Sequence, residues 1–313
     1  MDRRGFLTAG VTGVLAAGLG CASTSGGRTR SLARKYQGGR SLWPISLDTS
    51  TIRPATMRQK IRAAAEAGYD AIEPWTQDLE QHVRDGGTLK DLRKELSDRG
   101  LSVPSLLGLW DAIPIERAEW PARQEQTRRY LAMAAEIGSQ HAQTIPVRGE
   151  RIEPLWGAEC YRAILEMGLS EFGVHPALVF VKFRAIKRLD EAVSMALLAD
   201  HPEAKIIPDS FHLHITGSGF AGLGQLAGDF IAIYQINDAP ASPDRDELED
   251  KHRVMPGDGI LPLAKSLRDL ASIGYGGAVS LELYNAKYWE MDPAEVAKIG
   301  LRKTLAVVDQ AMA

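Results

Sequence analysis

The sequence contains very little cysteine. Its 313 residues include only Cys21 and Cys160. Two cysteines so far apart form neither a CxxC metal motif nor a disulfide framework. A hydrophobic core must therefore stabilise the fold.

Long runs of one charge and long apolar runs are also missing. The 37 Lys and Arg nearly balance the 40 Asp and Glu, and no basic run is sustained. This pattern lacks the electrostatic footprint of a nucleic-acid-binding protein, so it favours a small molecule as the partner. No stretch of about 20 apolar residues follows the N-terminal leader, so we expect that the mature chain does not span a membrane.

The N-terminus has the pattern of an export signal. A charged start at residues 2–7 (DRRGFL) precedes a weakly hydrophobic run and a Ser/Gly/Thr tract. We interpret residues 1–35 as a signal peptide and flexible tether, and residues 40–313 as one domain. An N-terminus without a targeting role is the alternative. The paired arginines resemble the twin-arginine signal, which implies export of the folded protein to the periplasm.

Cys21 is a candidate lipid-attachment site. Attachment there would make the exported protein a membrane-anchored lipoprotein. Against this, the bacterial lipobox prefers Leu three places before the cysteine, and Gly18 stands at that place.

Apolar runs and helical periodicity alternate eight times after Leu42. The predicted strands are Trp43–Leu47, Tyr69–Pro74, Leu101–Leu107, His141–Val147, Pro176–Val181, Ala204–Asp209, Ala232–Asn237 and Ala278–Leu283. The predicted helical segments are Met57–Ala67, Leu89–Arg99, Glu119–Ile137, Ala158–Phe172, Leu189–Ala199, a short one near Gln225, Ile260–Ile273 and Ala294–Ala311. Glycine follows many of these segments, and it readily takes the left-handed conformation that ends a helix.

Eight such units predict the α/β class and a single closed (β/α)8 TIM barrel. The roughly 270 residues after the leader are the usual size of that fold. No GxGxxG turn follows the first strand, which argues against a dinucleotide-binding sheet.

Three predicted strands end at an oxygen-donor side chain: Asp209, Gln235 and Glu282. In a barrel the C-terminal ends of the strands converge, so these side chains should meet there. Two carboxylates and an amide suit a divalent cation of the Mn²⁺ or Mg²⁺ class. The alternative is an internal salt bridge for the two carboxylates and a buried hydrogen-bonding role for Gln235.

Four motifs in order carry a family resemblance. They are PDSFH at 208–212, QINDA at 235–239, RVMPGDG at 253–259 and IGYGGAVSLEL at 273–283. With them the chain resembles the xylose isomerase-like TIM barrels, a superfamily of sugar isomerases and epimerases. The resemblance implies that the divalent metal binds Asp209, Gln235 and Glu282. It also implies that His212 and Arg253 bind substrate oxygens, with a packing or solvated loop role as the alternative.

The fifth strand departs from the family pattern. Val179 stands in PALVF where the family's PALEF places a metal-binding glutamate. In the family's epimerases two glutamates exchange protons with opposite sides of the sugar, and valine can neither bind metal nor move protons. Glu282 therefore remains as the predicted base.

Three further residues are candidates. By resemblance Glu73, at the end of the second strand, lies near the substrate, although it could instead anchor a loop. Trp110 could stack on a sugar face or cap the core. Asp238 is predicted to orient Gln235 or Arg253.

We predict a metal-dependent sugar isomerase or epimerase that removes a proton next to a carbonyl of a keto-sugar or polyol. The first alternative is a lyase that performs β-elimination on a 3-keto-glycoside. The second is a catalytically degenerate sugar-binding barrel, for which Val179 is the support. The sequence leaves open whether the barrel forms a homo-oligomer.

Overall fold

Residues 33–313 form a barrel of eight parallel strands, as a computed structural model of these residues shows. The twin-arginine pattern and Cys21 lie outside the described residues and stay predictions. The strands are β1 Ile45–Asp48, β2 Ala71–Glu73, β3 Ser105–Ile113, β4 His141–Pro146, β5 His175–Val179, β6 Ile206–Ile207, β7 Ile233–Ile236 and β8 Ala278–Leu281. Each lies within or overlaps a predicted strand, and the predicted fold class is confirmed.

Two four-stranded arcs build the barrel, in the orders β2-β1-β8-β7 and β3-β4-β5-β6. Parallel bridges between Trp75 and Leu107 and between Asp209 and Gln235 join the arcs at their two edges. The pairing of β1 with β8 brings the first and last strands together. All strands therefore present their carboxyl ends at the same side, where the loops build the site.

Helices surround the strands. They are α1 Met57–Ala67, α2 Thr76–Arg84, α3 Leu89–Asp98, α4 Trp120–Ile137, α5 Pro154–Met167, α6 Leu189–Leu198, α7 Ser210–Ile215, α8 Leu263–Ser272, α9 Ala286–Trp289 and α10 Pro293–Met312. α1 shows why their ends could be predicted, since Thr56 and Gln59 form a capping box and Gly68 ends it at φ 95°. Among residues 33–313 no helix is both long and apolar enough to cross a membrane.

Two apolar layers stabilise the barrel. The larger one lies between the strands and the surrounding helices and includes Trp43, Leu106 and Tyr234. The smaller one fills the barrel interior and includes Leu107, Ile145, Val179 and Ile207. Because the interior is packed with side chains, a ligand can enter only at the end of the barrel.

Gly277, directly before β8, is closely packed, and substituting it tests that packing. A Cβ on Gly277 would lie 2.5 Å from the Ala232 carbonyl oxygen and 2.6 Å from the Tyr275 hydroxyl, whereas one on Gly276 would meet nothing within 4 Å. We expect that Gly277→Ala lowers the free energy of unfolding by about 1–3 kcal/mol because backbone must move. Gly276→Ala, the matched control, should leave the urea midpoint nearly unchanged. Equal midpoints for the two variants would contradict this packing.

Candidate active site

A cavity opens at the carboxyl ends of the strands, with about 470 Å³ of empty space that includes open solvent. On the side of β3, β4, β5 and β6 the lining is mostly apolar, with Leu107, Ile145, Val179 and Ile207, and also contains Gln143 and Arg184. The wall built from α7, the ends of β7 and β8 and the loop after β7 is polar and includes His212, Gln235, Asp250, Arg253 and Glu282. A ligand here would meet carbon-rich and hydrogen-bonding surfaces on opposite sides.

The ends of β6, β7 and β8 place three of the predicted residues together. Asp209 follows β6 and caps α7, because its Oδ1 accepts a hydrogen bond from the His212 N–H at 2.8 Å. This cap explains the three-residue spacing between Asp209 and His212. Gln235 in β7 is bridged to Asp209, and Glu282 directly follows β8.

Arg253 joins these residues from a loop. Its Nη1 donates to Asp209 Oδ2 at 2.8 Å and to Glu282 Oε2 at 2.7 Å. Its Nε and Nη2 donate to Asp250 Oδ1 at 3.1 and 2.9 Å, and Nη2 donates to His212 Nε2 at 3.0 Å. A guanidinium has five N–H donors, so all are used within the protein. In this arrangement Arg253 forms the internal salt bridge that was the alternative for Asp209 and Glu282. It also lines the cavity, so its predicted contact with substrate stays a prediction.

This cluster holds more acidic than basic groups. Arg253 is 1% exposed and pairs with three carboxylates. Burial alone would lower the pKa of its guanidinium, but the charges of Asp209, Asp250 and Glu282 outweigh burial and raise it. Arg253 therefore stays charged and is the cation on which the cluster depends.

The two carboxyl groups on the cavity wall beside Arg253 differ in acidity. Burial raises the pKa of Glu282, and the charges of Asp48 and Asp209 add to the rise against the opposing effect of Arg253. Burial would also raise the pKa of Asp250, but Arg253 and His212 bring it below its ordinary value. Glu282 is therefore the stronger base of the two. Its Oε1 also accepts a hydrogen bond from the Tyr284 hydroxyl at 3.1 Å.

Two donors beside these carboxylates have no partner among the described residues. Arg253 can only donate, so His212 accepts through Nε2 and carries its proton on Nδ1. Burial lowers the pKa of His212, which keeps the ring neutral. Its buried Nδ1 and the buried Gln235 Nε2 make no hydrogen bond, and both side chains line the cavity. A buried unpaired donor is costly, so these two groups suit an oxygen of a bound ligand.

Glu73 is placed differently from its prediction. It is fully buried, its Oε1 accepts from Gln143 Nε2 at 2.6 Å, and its Oε2 accepts from Ser280 Oγ at 2.8 Å. Both carboxylate oxygens of Glu73 are hydrogen-bonded, and Glu73 does not line the cavity, so it does not contact a ligand there. Burial raises the pKa of Glu73 to about 7, and the charge of Glu282 contributes.

The raised pKa of Glu73 predicts a pH dependence of stability. Between pH 4.5 and 7 the folded chain binds this proton and the unfolded chain does not. Stability should therefore fall by roughly 3 kcal/mol as the pH rises through this interval. Glu73→Gln keeps both hydrogen-bonding positions and should remove this part of the slope. Urea unfolding at pH 5 and pH 8 measures it, with exposed Glu66→Gln as the control; an unchanged slope would contradict the assignment.

Trp110 lies in the cavity lining, which is where stacking on a sugar would require it. Its Nε1 donates to Thr76 Oγ1 at 2.8 Å. Its ring meets Trp75 edge to face at 5.7 Å between centroids. These contacts hold the ring in the cavity lining, and stacking on a sugar stays a prediction.

Asp238 has a different role from the predicted one. Its carboxylate accepts four backbone hydrogen bonds, from Ala239, Gly257, Gly259 and Leu261. It thus holds the loop after Arg253 and does not orient the side chain of Gln235 or Arg253. Asn237 is the residue that supports Asp209, to which its Nδ2 donates at 2.7 Å.

The residues present do not fit a divalent metal ion. The Asp209 and Glu282 oxygens that would coordinate it are both bonded to one nitrogen of Arg253. Across the cavity β5 ends at Val179, which has no donor atom and packs with Ala177 and Ile207. Within the described part of the chain, no three His, Cys, Asp or Glu side chains are grouped to hold a metal. The predicted Mn²⁺ or Mg²⁺ ligands are brought together, but as an ion-pair cluster.

Sequence patterns gave no signal for several members of this cluster. Asp250 begins a three-residue 3-10 turn between β7 and α8, Tyr284 lies in the loop after β8, and Asp48 is the cap of another short 3-10 turn. Burial raises the pKa of Asp48, and Glu73 adds to the rise. The end of β1 could have indicated Asp48, since strand ends converge in a barrel.

Comparisons with known proteins agree with this architecture. Residues 61–306 match the profile of a family described as xylose isomerase-like TIM barrel. A structure of the IolI protein with a binding zinc atom superposes with a TM-score of 0.78 at 23% identity, covering 86% of this chain and 99% of that chain.

Two curated relatives are enzymes. The chain is 26% identical over 272 residues to an inosose isomerase of Bacillus velezensis, covering 84% of this chain and 96% of that protein. It is 24% identical over 282 residues to a 3-dehydroshikimate dehydratase of Pseudomonas putida, covering 87% of this chain and 42% of that protein. The chain thus spans less than half of the dehydratase.

Proposed function

The chain belongs to the xylose isomerase-like TIM barrel family, and from that premise we propose that it is an isomerase of a hydroxylated ring ketone. Glu282 removes a proton from the carbon next to the carbonyl. The same group returns the proton to the former carbonyl carbon, while a hydroxyl proton moves between the two oxygens. The carbonyl and the neighbouring hydroxyl thereby exchange places.

The pairing of a base with two unpartnered donors carries this proposal. Proton removal next to a carbonyl places negative charge on the oxygen, and donors already in position stabilise it. His212 Nδ1 and Gln235 Nε2 are such donors on the wall that holds Glu282. A base works best when its pKa lies near the working pH, and burial moves Glu282 in that direction.

The apolar wall supports a ring as the substrate. Leu107, Val179 and Ile207 face the polar wall and offer only carbon atoms. The C–H face of a hydroxylated ring packs on such a surface while its oxygens turn to the other side. The names inosose and 3-dehydroshikimate, from the relatives, both denote ring ketones of this kind.

The single base favours isomerisation over epimerisation. Epimerisation must deliver a proton to the opposite side of the carbon, and Val179 on the opposite wall cannot supply one. Isomerisation can proceed with one group on one side. β-Elimination also begins with one base, and the dehydratase relatives make it the second candidate.

Exchange with solvent deuterium tests the proposal. The protein is incubated in D₂O with inosose, 3-dehydroshikimate or D-psicose, and the carbon-bound protons are followed by NMR. We expect deuterium at the carbon next to the carbonyl, with a new ketone isomer and no loss of water. Release of water would select the dehydratase, whereas saturable binding without any exchange would leave a sugar-binding barrel and contradict the proposal.

A further inference from the structure

The polar wall contains a cation supplied by the chain itself. Nη1 of Arg253 lies 2.8 Å from Asp209 Oδ2 and 2.7 Å from Glu282 Oε2. We propose that the Arg253 guanidinium permanently replaces the divalent metal ion at this position, so that the site is assembled without metal. This inference does not depend on the proposed isomerase activity.

A metal ion and the Arg253 guanidinium cannot both lie between Asp209 and Glu282. A Mn²⁺-class ion must approach carboxylate oxygens to about 2.0–2.3 Å, in the space between them. Nη1 already contacts both oxygens from that space. Asp209 Oδ2 also accepts from Asn237 Nδ2 at 2.7 Å, which leaves that oxygen no free lone pair. Metal binding would therefore require Arg253 to leave.

Arg253 is held too firmly to leave easily. Both Nε and Nη2 are fixed on Asp250, and the Arg253 carbonyl accepts from Asn285 Nδ2 at 3.0 Å. The guanidinium also lies over Phe211 and Tyr284, with its carbon 5.2 and 5.1 Å from the ring centroids. Moving it would leave the buried Asp209 and Glu282 and the partly exposed Asp250 without the cation that they share, which is costly.

Val179 is the second part of the replacement. The side chain is 4% exposed and lies in an apolar cluster with Ala177 and Ile207. A carboxylate at position 179 would add a further negative charge to a site in which three carboxylates already share one guanidinium. Val179 removes one negative charge from the site, and Arg253 adds a positive charge between the remaining acids. Both features lower the attraction of the site for a divalent cation.

Metal titration of the unmodified chain is the first test. After chelation and dialysis, elemental analysis and calorimetry with Mn²⁺ and Zn²⁺ should find no stoichiometric site. A bound ion would raise Tm by about 5 °C at 100 times its Kd, and we expect no such rise. Uptake of one ion per chain that Asp209→Asn abolishes would overturn the proposal.

A gain of metal binding is the second test. The double variant Val179→Glu/Arg253→Met adds the β5 carboxylate and removes the internal cation, so we expect it to bind one Mn²⁺ and to gain about 5 °C in Tm. The matched control is Val179→Glu/Arg184→Met, because Arg184 is a buried arginine of the same cavity that pairs with Asp111 instead. The control should not bind metal.

These results separate the two proposals. Equal metal uptake by the double variant and its control would contradict a specific exchange of Arg253 for metal. If the double variant does not fold, the titration of the unmodified chain still decides. Metal uptake alongside isomerase activity would overturn only the replacement, whereas a metal-free chain without activity would overturn only the isomerase.

Discussion

Replacing Glu282 with Gln is expected, under the proposed isomerase mechanism, to lower kcat for the ring ketone about 1,000-fold. The amide has nearly the same shape and can still meet the Tyr284 hydroxyl and Arg253, but it cannot take up a proton. Because the change removes chemistry and not binding, KM should change much less than kcat. Steady-state kinetics in parallel with deuterium exchange measures both.

Two controls make the result specific. Glu290→Gln alters an exposed acid eight residues further along and should retain full activity. Asp250→Asn removes the other carboxylate of the polar wall, whose low pKa makes it a poor base. If Glu282→Gln keeps kcat within a few fold while Asp250→Asn abolishes it, the base has been assigned to the wrong carboxylate.

The eight-unit barrel could be predicted because each unit carries its own local signals. α1 matches its predicted range from Met57 to Ala67, since a capping box and a left-handed glycine mark both ends. The signals for α2 are weaker, because Trp75 gives its start no side-chain cap and only Thr76 and Leu79 within Thr76–Arg84 are buried. Local patterns thus indicate the elements whose ends are capped and whose faces are apolar.

The convergence of Asp209, Gln235 and Glu282 follows from strand ends, which the sequence shows. The position of Arg253, their partner, does not follow from strand ends, because Arg253 stands on the long loop between β7 and α8. Tertiary contacts set the path of that loop, such as the four backbone hydrogen bonds to Asp238. Nothing local tells whether that loop folds inward or outward. The sequence therefore predicts a cluster of acids but not the cation that they share.

Glu73 illustrates the same limit within a strand. Its position at the end of β2 could be predicted, yet its two partners stand on β4 and β8. Which residues become neighbours inside a barrel depends on the stagger between strands, and the stagger is a property of the closed sheet. A residue at a strand end can thus serve the ligand or support the barrel, and only the assembled structure distinguishes these roles.

Replacing Arg253 with Met is expected to produce the largest loss of stability, about 3–5 kcal/mol. Methionine fills a similar length, so the loss comes from leaving the buried Asp209 and Glu282, and the partly exposed Asp250, without their cation. Urea unfolding at pH 7 measures it. Arg40→Met is the control, since that arginine forms an exposed pair with Asp309 and should cost at most about 0.5 kcal/mol.

The pH dependence distinguishes lost charge from lost packing. Without Arg253 the pKa values of the buried carboxyls rise in the folded state, so the variant binds protons that the unfolded chain releases. Its stability must then increase as the pH falls, and the difference from the unmodified chain should shrink between pH 8 and pH 5. A loss that is equal at both pH values would mean that Arg253 acts through packing on Phe211 and Tyr284 and not as the cation of the cluster.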